Sequence, residues 1–134
     1  MFACGGSNLR QHATAADVSA TLLVDLSTQI SAAWRDAELA ALGASRTQED
    51  AQEGVAEVRA RYAPLGIAYE AVRLAHAAYV GAILRAHSQG GTLGASAAAE
   101  LADKWRALLT LASSRGVELA APPEALLHLG RGPP

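Results

Sequence analysis

Cysteine is almost absent: Cys4 is the only one in 134 residues. No disulfide within the chain is possible, so the fold must rest on its core. Aromatic residues make up 4% of the chain, and Val, Ile and Thr are sparse. Strands draw on just those residue types, so an all-β fold is excluded and a doubly wound α/β fold is disfavoured. There is one lysine, Lys104, beside ten arginines, and the net charge is −2 with a pI near 6.0. A domain built on a phosphate backbone carries a basic face and a pI above about 9. Nucleic acid is therefore not an expected partner. No stretch of about 20 residues is free of charge, as a membrane span requires. The best stretch, Leu65 to Leu84, is interrupted by Glu70, Arg73 and His76.

What is present is alanine and leucine, 32 and 18 residues, more than a third of the chain. Both rank high in helix propensity. At this length one domain can bury roughly two thirds of its unfolded surface without a metal or disulfide staple. The composition predicts an all-α fold, an antiparallel bundle of three long helices.

The periodicity places the elements. Residues 1–13, rich in Gly and Ser near Gly5, Gly6 and Ser7, read as a flexible leader. Thr14, with Asp17 three residues on, fits a capping box. Val18, Leu22, Leu26, Ile30, Ala33, Trp34, Ala37 and Ala41 then follow at steps of three and four, up to Gly43. Ser45 and Thr47 start a second helix, with Glu49, Asp50 and Glu53 where the helix dipole favours acids. Its seam of Val55, Val58, Tyr62, Leu65, Tyr69, Val72, His76, Tyr79, Ile83 and Ala86 keeps heptad spacing, as in a coiled coil. Pro64 lies within that seam and either kinks one helix over 46–88 or breaks it, which would make four helices. The unbroken register favours the kink and an elongated molecule. Gln89 to Gly94 is a turn. A third long helix is expected over 95–115, ending at Gly116, and a short one after Pro122 and Pro123. The single domain spans 14–129, with 130–134 as a tail.

Catalytic patterns are missing. No serine lies in a G-x-S-x-G elbow, no Gly-Lys-Ser/Thr completes Gly90 to Gly94 as a phosphate loop, and no His pair stands at i, i+4. His76 and His87 are eleven residues apart, about 16 Å along a helix, too far to share an ion. Neither metal nor cofactor is expected, and the chain does not read as an enzyme. Charges at Glu57 and Arg61, Glu100 and Lys104, Glu70 and Arg73, and Asp103 and Arg106 have the spacing of local helix pairs.

Two sets of residues remain as candidates. Tyr62, Tyr69, His76 and Tyr79 put polar tips on an otherwise apolar seam. They either reach water at its edge or line a groove for a partner helix or small apolar ligand. The second candidate is Cys4. Phe2-Ala3-Cys4-Gly5-Gly6-Ser7 resembles the cleavage region of bacterial lipoproteins, in which an apolar segment ends in small residues before a cysteine that becomes lipidated. Met1 stands three residues before Cys4, so the charged and apolar segments that precede the cysteine in that family are not in this sequence. The resemblance implies a lipid on Cys4 as the chain's only link to a membrane, and a position on the periplasmic face. The Ala-rich body also resembles helical proteins of unknown function from phages and prophages, which implies a role at the host envelope.

The expected function is that of a non-enzymatic structural or interaction protein, tethered through Cys4, with a protein partner or a second copy. The alternative is a soluble cytoplasmic binding module that uses the tyrosine groove.

Overall fold

The structure, a computed structural model, describes the backbone of residues 2–132 and the side chains of residues 8–132. These residues form four helices and no strand: α1 (Phe2–Ala44), α2 (Gln48–Ser88), α3 (Ser96–Ser114) and α4 (Glu124–Arg131). α1 and α2 are an antiparallel hairpin. α3 lies along the later half of α2, and α4 packs on α3 and α1.

The termini follow from local chemistry. Thr47 accepts a hydrogen bond from the Asp50 amide at 3.0 Å and caps α2. The helix ends where Gly90 takes a positive φ of 67° and the Gly91 amide reaches back to Ala86 O. α3 closes in the same way, with Gly116 at φ 73° and the Val117 amide on Ala112 O. The second closure matches the glycine cap expected at Gly116, and the first falls within the turn expected over 89–94.

α2 runs unbroken through Pro64. Proline has no N–H, so the carbonyl of Ala60 loses its usual donor. One residue further on, the Arg115 guanidinium donates to the Arg61 carbonyl at 2.9 Å. The Arg61 guanidinium in turn donates to the Arg115 carbonyl at 3.0 Å. This reciprocal clamp fastens the end of α3 to α2 beside the proline. It also takes Arg61 away from Glu57, so the expected pair of those two is not formed. The pairs Glu70–Arg73, Glu100–Lys104 and Asp103–Arg106 are formed.

The helix start expected at Thr14 is corrected. α1 begins at Phe2, and residues 8–13 belong to the bundle rather than to a leader. Asn8 Oδ1 accepts from the Leu93 amide at 2.8 Å, and His12 is buried. These tertiary contacts outweigh the low helix propensity of the adjacent glycines. The tail expected from 130 is corrected likewise. α4 continues to Arg131, because Gly130 sits directly on the α3 backbone. A Cβ there would lie 3.1 Å from Ala99 Cα and N.

The core is Leu23, Leu26 and Ile30 of α1, Leu65, Val72 and Tyr79 of α2, Leu101, Trp105 and Leu108 of α3, and Leu126 of α4. The fully buried Trp105 donates to Ala120 O at 2.9 Å, and the Ala120 amide donates to Gln29 at 2.9 Å. The α3–α4 connection is thus fixed to both α3 and α1. Past Ile30 and before Tyr62 the picture changes. No side chain in residues 31–61 is buried. There α1 and α2 continue alone as a two-helix arm beyond the end of α3.

Candidate functional site

The four seam residues do share one edge of α2, and it faces α1. Tyr62 is buried and stacks on Trp34, centroids 6.2 Å apart. Tyr69 is half-buried against the core. A ring nitrogen of His76 lies 3.0 Å from Ala16 O, close enough for its N–H to donate there. Tyr79 is fully buried, and its hydroxyl and Nδ1 of His12 share a hydrogen bond of 2.6 Å, with the rings edge to face. The polar tips of His76 and Tyr79 therefore bond to α1, and these residues join the two helices.

His12 is the member that the sequence assigned to the leader. The signal was present: 12, 15, 19, 23, 26 and 30 keep the three-and-four spacing of the α1 core face. Burial holds its imidazole below the ordinary value of 6.5, and a backbone hydrogen bond to Leu93 acts in the opposite sense. Burial also pushes the Tyr79 hydroxyl above its usual range. Both groups are neutral near pH 7, as buried groups without a counter-charge must be. Nearby, Ser19 is fully buried and its hydroxyl has no partner.

Among the described residues, no three His, Cys, Asp or Glu side chains come together as a metal site. The clefts are shallow. One of about 400 Å³ lies between α1 and α4, lined by Arg10, Gln11, Thr14, Ala125, His128 and Leu129. Its polar side chains are Arg10, Gln11, Thr14 and His128, and the next cleft, around Glu124 and Arg131, shares His128 with it. The side chain of Cys4 lies outside the described residues.

The most unusual surface is on the outside of α2. Ile67, Leu74 and Leu84 are 75%, 58% and 62% exposed. They belong to a second seam, opposite the first: Ala60, Ala63, Ile67, Glu70, Leu74, Ala77, Gly81 and Leu84, again spaced by three and four. Its only charged member, Glu70, is held by Arg73, whose Nε donates to Glu70 Oε2 at 2.9 Å. Their mutual attraction lowers the Glu70 carboxyl and raises the Arg73 guanidinium from their ordinary values. α2 is the one described helix long and apolar enough to cross a membrane by length and composition, yet only 17% of its most apolar stretch is buried. The inner seam accounts for part of that apolar character. The outer seam is the rest, and its heptad spacing was legible in the sequence.

No family, no curated protein and no solved structure matches this chain.

Proposed function

We propose that the protein is a non-enzymatic helical interaction protein whose working surface is the outer face of α2. The observation that supports this is the exposure of Ile67, Leu74 and Leu84 on a helix whose inner seam already has its partners. Single exposed leucines are ordinary on a protein surface. Three large ones at heptad positions with alanines and a glycine between them are the pattern of a helix-binding face.

The same reading keeps the Cys4 resemblance as its tether, with a lipid on that thiol holding the body at the periplasmic side of a bacterial membrane. The phage and prophage resemblance gives that position a role at the host envelope. α1 would then carry the far end of the bundle about 60 Å from the lipid, at 1.5 Å per residue.

A photo-crosslinking residue at Leu74, in the protein made from its own gene, tests the interaction. A discrete adduct supports the reading, and the absence of any adduct at native abundance overturns it. Intact mass after membrane fractionation tests the tether. A diacylglyceryl-sized increment on Cys4 supports it, whereas an unmodified chain in the soluble fraction moves the interaction to the cytoplasm.

A further inference from the structure

We infer that the occupant of the α2 outer face is a second copy of this chain, bound antiparallel about a two-fold axis at the level of Val72. This rests on the outer face of α2 being an interaction surface, and it names the partner.

Charge sets the orientation. Glu70 and Arg73 are the only charges near the middle of the seam, and they lie on either side of Val72. A two-fold axis there brings Glu70 of each copy beside Arg73 of the other, so two intrahelical pairs become a four-charge network. Parallel pairing would set Glu70 against Glu70, and like charges in register are repulsive.

Side-chain size agrees with the same register. The antiparallel arrangement opposes Leu84 to Ala60, Ala63 to Gly81 and Ile67 to Ala77. Leu84 and Ile67 each meet an alanine, as knobs need holes, Ala63 meets Gly81, and Leu74 lies against the aliphatic stem of Glu70. Parallel pairing would stack Ile67 on Ile67 and leave Ala60 and Gly81 facing their own copies across voids. The glycine suits close approach as well. A Cβ at Gly81 would meet only the end of the Arg85 side chain, at 3.4 Å. Nothing in the copy's own fold requires the glycine.

The contact is isologous and closed, so it produces a dimer and not a filament. The seam from Ala60 to Leu84 is about 36 Å long. One helix pair of that length buries less than the standard interface of about 1,600 Å², the size class of reversible contacts.

Sedimentation of the full chain from about 1 to 500 μM is the experiment. A reversible monomer–dimer equilibrium is expected. Ile67→Lys should weaken it at least tenfold while leaving the circular dichroism melt unchanged, since Ile67 touches none of the core. Glu70→Arg and Arg73→Glu should each abolish self-association, and an equimolar mixture of the two should restore dimers. In a Cys4→Ser background, a mixture of Ala60→Cys and Leu84→Cys should form the mixed disulfide in preference to either homodimer.

Three results overturn the inference. The chain remains monomeric to 500 μM, or it dimerises unaffected by Ile67→Lys, or it is monomeric and binds phospholipid vesicles through the same face. The first, together with a crosslink from Leu74 to a different protein, would leave the interaction reading standing. A monomer with no crosslink would end both.

Discussion

The body and the arm are built from the same two helices and are held by different means. In the body, α1 and α2 have α3 and α4 against them, and Leu26, Leu65, Leu101, Trp105, Leu108 and Leu126 are wholly buried. In the arm, residues 31–61, the same helices have only each other. Trp34 and Val58 are half-buried, and Leu39 and Leu42 face water. A helix pair alone cannot enclose a side chain on all sides, so burial stops where α3 stops. Helical regularity, by contrast, continues to Ala44 and resumes at Gln48. Secondary structure and burial therefore report different things along one chain. The arm is a helix by propensity and by attachment to the body, whereas the body is a helix because its faces are covered.

That difference can be broken most sharply with large-to-small substitutions. Trp105→Ala removes a fully buried indole and its bond to Ala120, and should cost about 3–5 kcal/mol in urea unfolding. Leu42→Ala on the arm should cost about 0.5 kcal/mol or less. Equal losses would mean that the arm is as enclosed as the body.

Glycines give a second contrast. Gly130→Ala forces a methyl to within 3.1 Å of the Ala99 backbone, which cannot move independently of α3. A loss of about 1–3 kcal/mol is expected from the overpacking. Gly54→Ala on the arm brings a methyl to 3.2 Å from the Ala41 Cβ. Two free helices can separate slightly, and alanine raises helix propensity by up to about 1 kcal/mol, so the net change in melting should be near zero.

Acid should act on the body first. His12 is neutral in the fold with its pKa lowered, while in the unfolded chain it titrates near 6.5. Below that pH the unfolded state binds the additional proton, so stability falls as pH drops through about 6.5 and down to the lowered value. Hydrogen exchange at Leu93, whose amide is held by Asn8 beside His12, should accelerate over that window. Amides of the arm should show no comparable pH step beyond intrinsic exchange. His12→Gln should flatten the dependence.

One small effect has the opposite sign. Ser19→Ala removes a buried hydroxyl without a partner. It should leave stability unchanged or raise it by up to about 1 kcal/mol, as read from the denaturation midpoint.

Much of this fold was legible from spacing alone. The α2 seam, the caps at Thr47 and Gly116, the turn after Gln89 and the continuation through Pro64 all follow from residue order. What was not legible depended on contacts between segments far apart in sequence. His12 and Asn8 lie beside glycines that suggest a tether, and only Tyr79 and Leu93, more than 60 residues away, show that they are held. Arg61 has Glu57 at the right spacing but bonds to Arg115, 54 residues on. The seam tyrosines share one edge of α2, but their spacing carried no information about what they would face. The outer seam could be counted in the sequence. Its exposure could not, because only the packing of α1 and α3 shows which side of α2 remains bare.

The Arg61–Arg115 clamp has a mechanical consequence. It lies where three helices become two, and Pro64 beside it has already removed one hydrogen bond from the helix. A beam with a weakened section at its support bends there under load. Any sideways force on the turn at 45–47 acts over a span of about 25 Å and concentrates at Pro64. The two guanidinium bonds tie that joint to the end of α3, so the joint's stiffness is a property of two exposed side chains and can be tuned without touching the core.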